Sequence, residues 1–295
     1  MLKIGYIGLG LMGKPIAYNI LQAGFQLIVH NRSQAAVNEL VSLGAKSAQT
    51  PAETASQVDV IFTNLPDSPD VELVALGNNG IIEGAHKGLI HVDNSTIKPA
   101  VARKIADELG RKGVVCLDAP VSGGDIGAQK GTLAIMVGGP KAAVDKVMPV
   151  FNAMGKTITH VGESGTGQIA KCANQIMVAA QMTALAELLL LAKKSGADPQ
   201  KVVEAIKGGA AQCWALDQKP QRLFAGERTP GFKASMQLKD LNIVIDTARE
   251  YGIPLPLTAV TDQLYAAMCE MGMQNLDNSA VIGVIEKLAN ADLLG

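Results

Sequence analysis

A lysine and an asparagine in the second half of the chain could take part in acid–base chemistry. Lys171 and Asn174 are three residues apart in a helical pattern, so their side chains share one helix face. The residues around them are uncharged and mostly apolar. A lysine in such surroundings can have a lowered pKa and can donate or accept a proton. From spacing alone, an exposed lysine with a buried stem is the simpler interpretation.

A serine–glycine loop offers hydrogen-bond donors to an anion such as a carboxylate. Ser122, Gly123 and Gly124 come shortly after an apolar strand pattern over 114–118. Consecutive glycines leave backbone N–H groups open, and the serine hydroxyl adds another donor. A simple turn at a strand end has the same composition, so both interpretations stay open on composition alone.

Three glycines near the N-terminus have the spacing of a phosphate-binding turn. Gly8, Gly10 and Gly13 lie between an apolar strand pattern over 3–7 and a helical pattern over 14–23. This spacing lets the chain turn tightly, approach a pyrophosphate and pack the helix onto the strand. The helix N-terminus then presents N–H groups to the phosphates. The motif therefore predicts a dinucleotide site. The alternative is an ordinary glycine-rich turn, which would not require a strand before it and a helix after it.

The residues after the second predicted strand bear on the choice of dinucleotide. That strand covers 25–30 and ends at Asn31 and Arg32. NAD-specific sites usually have Asp or Glu here. With no carboxylate to repel a 2′-phosphate, and with Arg32 able to pair with it, the sequence favours NADP. The alternative is NAD, with Asn31 bonded to the ribose and Arg32 solvated.

Strand and helix patterns alternate through the first half of the chain. Further strands are predicted over 58–63, 89–93, 114–118, 133–137 and 157–161. The alternation predicts right-handed βαβ units, with a mostly parallel sheet and helices on both faces. Ligands bind beyond the carboxyl ends of the strands in such sheets. The loops that follow these strands are therefore expected to line the site.

Helical patterns are predicted along the second half of the chain. No Gly or Pro occurs over 168–195, and a helix of that length spans about 40 Å at ~1.5 Å per residue. Later helical patterns cover 238–251, 257–271 and 279–289. We therefore predict an α/β N-terminal Rossmann domain over 1–162. An all-α C-terminal domain for substrate binding and oligomerisation follows over 163–295, joined by the long helix.

Composition argues against several classes of function. The net charge is −1 and aromatic residues make up 3% of the chain, which argues against a nucleic-acid partner. The four cysteines lie far apart without a C-x-x-C pair, so neither a disulfide framework nor a metal site is expected. The apolar stretch over 177–192 is shorter than the ~20 residues of a membrane span. We therefore predict a buried core helix there and no membrane partner. A first strand that begins almost at the N-terminus predicts no signal peptide. The scattered cysteines are read as reduced thiols, which predicts a cytoplasmic location.

Four motifs together resemble the β-hydroxyacid dehydrogenase family. They are Gly8-Leu9-Gly10-Leu11-Met12-Gly13, Asp118-Ala119-Pro120-Val121-Ser122-Gly123-Gly124, Gly167-x-x-x-Lys171-x-x-Asn174 and Lys239-Asp240-Leu241. They occur in the family's order over nearly the whole chain. That family includes 3-hydroxyisobutyrate dehydrogenase, tartronate semialdehyde reductase and glyoxylate/succinic semialdehyde reductases.

The resemblance implies roles for individual residues. Lys171 would be the catalytic proton donor, and Asn174 would help to orient the substrate. The implied cofactor-binding residues are Gly8, Gly10, Leu11, Met12, Gly13, Asn31, Arg32, Leu65, Pro66, Thr96 and Lys239. The implied substrate-binding residues are Thr96, Ser122, Gly123, Gly124, Lys171, Asn174, Phe232 and Asp240.

The resemblance also implies an activity. We expect an NAD(P)-dependent reductase of a small carboxylate-bearing semialdehyde, with 2-hydroxy-3-oxopropionate (tartronate semialdehyde) reduced to glycerate as the first choice. The alternatives are 3-hydroxyisobutyrate dehydrogenase and glyoxylate/succinic semialdehyde reductase. A more distant one is an NADP-sensing binding protein without turnover, which would not need Lys171 as a proton donor. A homodimer or homotetramer is expected.

Overall fold

The chain forms two compact units, Met1–Lys171 and Cys172–Gly295. The structure is a computed structural model that describes residues 2–294. The outermost residues of the two predicted domains, Met1 and Gly295, therefore lie outside the described residues. The predicted domain boundary between residues 162 and 163 stays a prediction.

The first unit contains a nine-stranded sheet. Its strands are β1 (Lys3–Ile7), β2 (Gln26–His30), β3 (Lys46–Ser47), β4 (Val60–Thr63), β5 (Ile90–Asp93), β6 (Val115–Asp118), β7 (Val121–Ser122), β8 (Leu133–Gly138) and β9 (Gly155–Gly162). The order β3-β2-β1-β4-β5-β6 is parallel throughout. Strands β6 and β7 pair with β8 in antiparallel fashion, and β9 pairs with β8 in parallel. The predicted mostly parallel sheet is confirmed.

Helices connect these strands. They are α1 (Gly13–Gln22), α2 (Gln34–Ser42), α3 (Pro51–Ala55), α4 (Ser68–Leu76), α5 (Ile81–Gly84), α6 (Pro99–Gly110), α7 (Gly124–Lys130) and α8 (Lys141–Met154). The helix predicted over 14–23 corresponds to α1. Helices α3, α5 and α7 have four to seven residues, too few to show a helical period in the sequence.

The sheet is buried on both faces. Tyr6 and Phe62 lie in one core cluster, and their neighbours in sequence, Ile7 and Ile61, lie in another. Successive side chains of a strand point to opposite faces, which explains this division. The rings of Tyr6 and Phe62 stack with centroids 5.9 Å apart. Because both faces are covered with apolar side chains, polar groups collect in the loops at the strand ends.

The second unit is helical, as predicted. Its helices are the greater part of α9 (Thr166–Lys194), then α10 (Pro199–Ile206), α11 (Trp214–Gln218), α12 (Pro220–Phe224), α13 (Ala234–Glu250), α14 (Pro256–Met268) and α15 (Ile282–Ala289). The helix predicted over 279–289 begins as a 3₁₀ turn, Asn278–Val281, whose N-terminus is capped by the Asp277 side chain, which accepts the Ser279 N–H. Within the core of this unit, the Tyr265 hydroxyl donates to Asn278 O at 2.9 Å.

Helix α9 is long and apolar enough, by length and composition, to cross a membrane, with a mean hydropathy of 1.6 over its most apolar window. Half of that window is buried inside the protein. Its buried residues, among them Met182, Leu185 and Leu189, form part of the core of the second unit. A core helix passes the same test, so this is weak support for a membrane span.

Candidate active site

The three glycines of the N-terminal turn are needed for different reasons. Gly8 has φ +95°, and a Cβ there would lie 2.2 Å from Asn64 O. A Cβ on Gly13, the first residue of α1, would lie 1.9 Å from Gly8 O. A Cβ on Gly10 would meet nothing within 4 Å, so the turn is open at this residue. Tight turn, close helix packing and an open approach are the three features that a pyrophosphate-binding turn requires.

The end of β2 is fixed to this turn by Asn31. Its Oδ1 accepts the Leu9 N–H at 3.0 Å. Its Nδ2 donates to Ser33 O at 3.0 Å and to Ser33 Oγ at 2.9 Å. Both ends of the amide are thus bonded within the protein, while Arg32 is exposed. Of the two residues predicted to read the ribose, the structure leaves Arg32 open to a ligand.

The loops after β4 and β5 are joined to each other. Ser95 Oγ donates to Asp93 Oδ1 at 2.6 Å and accepts the Leu65 N–H at 2.8 Å. This link brings the segment of Leu65 and Pro66 next to the loop that carries Thr96. Leu65 and Thr96 are half-buried, whereas Asp93 and Ser95 are buried. The implied cofactor-binding residues Leu65, Pro66 and Thr96 therefore come from two loops that the Leu65–Ser95 hydrogen bond joins.

The start of α9 is anchored to the end of β6 and to the loop after β5. The Asp118 carboxylate accepts the N–H groups of Gly165 at 2.7 Å and Gln168 at 2.8 Å. The Gln168 side chain donates to Ser95 O at 2.8 Å and accepts the Ile97 N–H at 3.1 Å. Gln168 is fully buried. The first turn of α9 is therefore fixed relative to two of the ligand-side loops.

Lys171 lies one turn further along α9 and is buried. Its Nζ donates to Val121 O at 2.9 Å, and the residue is only 6% exposed. Val121 directly precedes Ser122, and Gly123 and Gly124 follow with φ +136° and +63°. The structure thus brings Lys171 and the serine–glycine loop together. The exposed lysine that spacing alone favoured is not what the structure contains.

Three predicted residues of the second unit form one polar network. Asn174 Nδ2 donates to Gln175 Oε1 at 2.7 Å, and Gln175 Nε2 donates to Asp240 Oδ2 at 2.6 Å. Lys239 Nζ lies 2.8 Å from Asp240 Oδ1. Asp240 and Gln175 are buried, whereas Asn174 and Lys239 are partly exposed. Asn174, Lys239 and Asp240 are therefore joined through Gln175.

Phe232 belongs to a different group in the second unit. Asp277 accepts the Gly231 N–H at 2.9 Å and the Phe232 N–H at 3.4 Å, and it forms a buried ion pair with Lys219 at 2.7 Å. The Lys219 ammonium also lies 5.5 Å from the centroid of the half-exposed Trp214 ring. The loop of Phe232 is thus fixed by a buried carboxylate rather than by the network of Asn174.

Burial controls the titratable groups behind the loops of the first unit. Burial lowers the pKa of His91 to about 4, so its imidazole, 3.0 Å from Thr63 Oγ1, is neutral at pH 7. Burial, together with nearby Asp93, raises the pKa of the Cys116 thiol to about 12. Burial also raises the pKa of Asp118 to about 6, against the two N–H bonds that favour its carboxylate. Among the described residues, no group of His, Cys, Asp and Glu is placed to hold a metal ion.

Sequence reasoning assigned no role to Asp118, Gln168 or Gln175. Each is a polar residue inside or beside a motif and has mostly apolar neighbours. That pattern is a usable signal, because a buried polar side chain needs a hydrogen-bond partner. The sequence does not show which partner each one has.

Comparisons with known proteins agree with this arrangement. The family model described as the NAD binding domain of 6-phosphogluconate dehydrogenase matches residues 3–162. The model described as NAD-binding of NADP-dependent 3-hydroxyisobutyrate dehydrogenase matches residues 165–285. The 2-hydroxy-3-oxopropionate reductase of Escherichia coli (strain K12) is 43% identical over 292 residues, which is 99% of this chain and 100% of the relative. The 2-(hydroxymethyl)glutarate dehydrogenase of Eubacterium barkeri is 37% identical over 295 residues, 100% of this chain and 98% of the relative.

A solved structure is similar over the same extent. The 3-hydroxyisobutyrate dehydrogenase of Mycobacterium tuberculosis, in a structure described with L-serine, matches with a TM-score of 0.89 and 31% identity. The match covers 97% of this chain and 99% of that one. With both halves of the chain matched in order, the chain belongs to the β-hydroxyacid dehydrogenase family, whose 3-hydroxyisobutyrate-dehydrogenase-type members are NAD(P)-dependent oxidoreductases acting on a hydroxyl group.

Proposed function

We propose that this enzyme reduces a small semialdehyde that carries a carboxylate, with 2-hydroxy-3-oxopropionate, reduced to glycerate, as its substrate. The observation that carries the proposal is the buried Lys171 ammonium, 2.9 Å from Val121 O and next to the serine–glycine loop. The choice of substrate is supported by the 43% identity to the E. coli enzyme of that name over the whole length. A 3-hydroxyisobutyrate dehydrogenase or a glyoxylate/succinic semialdehyde reductase is the alternative within the family.

The residues of the first unit would share the work as follows. The turn of Gly8, Gly10 and Gly13 would hold the pyrophosphate of NAD(P)H, and the bound cofactor would supply hydride chemistry. Ser122 and the N–H groups of the glycines after it hold the substrate carboxylate. Lys171 donates a proton to the oxygen of the former carbonyl as negative charge develops there. Proton donation from a positioned side chain contributes about 10²–10⁴-fold to the rate.

Each half of the chain has further proposed ligand-binding residues. Residues 1–162 form the dinucleotide-binding domain, and residues 163–295 contribute substrate contacts and the interface of a homodimer or homotetramer. Leu11, Met12, Leu65, Pro66, Thr96 and Lys239 contact the cofactor, and Thr96, Asn174, Phe232 and Asp240 contact the substrate. A cytoplasmic location stays a prediction from the sequence.

The geometry after β2 supports NADP over NAD as the cofactor. The Asn31 amide is bonded at both ends within its loop, and it lacks the carboxylate charge with which Asp or Glu usually holds the ribose hydroxyls in an NAD site. Arg32 is exposed beside it and can pair with a 2′-phosphate. We therefore propose that NADPH is the preferred reductant.

A panel of substrates tests the proposed activity. Reduction of 2-hydroxy-3-oxopropionate, glyoxylate, succinic semialdehyde and methylmalonate semialdehyde is measured with NADPH and with NADH. The highest kcat/KM is expected for 2-hydroxy-3-oxopropionate with NADPH, and the K171M variant serves as the inactive control. A higher kcat/KM for methylmalonate semialdehyde would replace the proposed substrate with that of the 3-hydroxyisobutyrate dehydrogenases. No turnover of any of the four by a protein that binds NADPH would contradict the proposed activity.

A further inference from the structure

Four side chains of the second unit form a chain of polar contacts that ends at Asn174. Helix α13 contributes Lys239 and Asp240, and helix α9 contributes Gln175 and Asn174. The successive contacts are 2.8 Å, 2.6 Å and 2.7 Å long. We call this series, from Lys239 through Asp240 and Gln175 to Asn174, the amide relay.

The chemistry of its members permits one arrangement of hydrogen-bond donors. The Lys239 ammonium only donates, and the Asp240 carboxylate paired with it only accepts. Gln175 must therefore turn its NH₂ group to Asp240, which leaves its Oε1 facing Asn174. Asn174 in turn must present its NH₂ group to that oxygen. The amide orientation of Asn174 thus follows from the carboxylate two contacts away.

Burial makes this arrangement strict. Gln175 is 3% exposed and Asp240 is 2% exposed, so water has little access to satisfy a reversed amide. A reversed Gln175 would place its oxygen 2.6 Å from a carboxylate oxygen, at the distance where the NH₂ group now lies. An unsatisfied or repelled buried polar group costs more than the hydrogen bond itself contributes. The orientation of Asn174, which is partly exposed, is therefore set from the buried side.

We propose that Gln175 and Asp240 act as positioning residues that hold the Asn174 amide with its oxygen, Oδ1, turned away from the relay as a hydrogen-bond acceptor for an O–H or N–H donor in the active site. This inference rests on the proposed role of Asn174 in orienting the substrate. It adds that the required atom of Asn174 is the oxygen and that Gln175 and Asp240 select it.

The D240N variant reverses the relay. The positive charge of Lys239, 2.8 Å from Asp240 Oδ1 in the wild-type protein, would attract the oxygen of the new amide and repel its NH₂ group, so the NH₂ group would face Gln175. Gln175 would then rotate, and Asn174 would turn its oxygen inward and its NH₂ group outward. We expect kcat to fall about tenfold, the size of effect expected from one lost hydrogen bond.

A second substitution should rescue that reversal. In the D240N protein, the rotated Gln175 turns its NH₂ group to residue 174. The carboxylate introduced by N174D accepts that N–H with one oxygen and offers its other oxygen as the outward acceptor. In the wild-type background the same N174D change sets a carboxylate against Gln175 Oε1. We therefore expect each single variant to lose about tenfold in kcat and the double variant N174D/D240N to recover at least about threefold over D240N. A direct loss of a substrate contact at Asp240 would not be rescued by a change at residue 174.

The controls separate this inference from the proposed function. N174A should lower kcat about tenfold with the Kd of NADPH unchanged. If N174A lowers kcat but the two single-variant losses simply multiply in the double variant, the relay is overturned and the role of Asn174 stands. If N174A is as active as wild type, the proposed role of Asn174 fails, and the relay proposal fails with it.

Folding of each variant is followed by its melting temperature. If D240N does not fold, Q175L serves in its place, because leucine removes the oxygen that the carboxylate introduced by N174D would face. The loss caused by N174D should then be smaller in the Q175L background than in wild type. An equal loss in both backgrounds would overturn the relay.

Discussion

Two glycines of the same turn should respond in opposite ways to the addition of one methyl group. A Cβ on Gly13 would lie 1.9 Å from Gly8 O and 3.0 Å from Gly8 C. A Cβ on Gly10 would meet no atom within 4 Å, and Gly10 lies outside the left-handed region of backbone conformation. The G13A variant therefore tests packing of α1 on the turn, and G10A tests the approach of a ligand to it.

The structure gives the expected sizes of these effects. Ordinary contacts of a Cβ begin near 3.4 Å, so G13A creates a backbone overlap, with the oxygen at 1.9 Å, that no side-chain rotation can relieve. We expect it to lower the free energy of unfolding by about 3 kcal/mol. G10A should leave the free energy of unfolding within about 1 kcal/mol of wild type, with a gain expected because alanine restricts the unfolded chain. Its methyl group would lie where the pyrophosphate is proposed to approach, and losing one or two charge-assisted hydrogen bonds there would raise the Kd of NADPH by about 10–100-fold.

Urea unfolding and fluorescence titration with NADPH measure the two quantities separately. G110A is the matched control, since a Cβ at this exposed residue at the end of α6 also meets nothing within 4 Å. It should change neither quantity by much. If G10A binds NADPH as tightly as G110A does, the turn is not the pyrophosphate site. If G13A is as stable as wild type, α1 does not pack against Gly8 as closely as described.

Three further variants test the residues around this turn and the sheet. K171M keeps the apolar stem of the lysine and should lower kcat by about 10²–10⁴-fold with the Kd of NADPH within about twofold, whereas normal turnover with weakened binding would contradict the assignment. R32A should raise the KM for NADPH at least about tenfold and leave the KM for NADH nearly unchanged, and an equal effect on both would show that Arg32 does not read the 2′-phosphate. Because burial raises the pKa of Asp118 to about 6 from its ordinary 3.8, ionisation of Asp118 destabilises the folded protein as the pH rises through this interval. Between about pH 4 and pH 7, the free energy of unfolding of wild type should therefore fall by about 2–3 kcal/mol relative to that of D118N. A difference between the two proteins that stays constant with pH would refute the buried ionisation.

The fold and one part of the site were predictable because their signals are local. Alternating apolar strands and helices predict a parallel sheet, and the glycine spacing after β1 predicts a dinucleotide turn. The separate reasons for Gly8, Gly10 and Gly13 follow from contacts that the motif itself makes. Helix α9 was predictable because 28 consecutive residues, 168–195, contain neither Gly nor Pro.

The buried partners of the site were not predictable, because each one is specified by residues far away in the sequence. Gln168 meets Ser95 across 73 residues, and Gln175 meets Asp240 across 65. Helical spacing predicts which residues of α9 share a face, but it contains no information about which loop that face meets. The same limit explains Lys171, for which spacing favoured an exposed position and the fold supplies a buried one.

Two of the motifs have a common design that only the structure makes visible. In each motif, a buried anchor residue lies three positions before a residue of the Lys171–Val121 hydrogen bond. Asp118 is the anchor before Val121, and Gln168 is the anchor before Lys171. The two anchors bond to each other at 2.8 Å, and so do the two later groups, Lys171 Nζ and Val121 O, at 2.9 Å. The anchors can meet only because residue 167 is glycine, where a Cβ would lie 2.4 Å from Asp118 O. The position of the Lys171 ammonium is therefore set by the contact of the start of α9 with the buried Asp118 carboxylate. A shift of that helix start would move the proposed proton donor without altering any residue proposed to touch the substrate.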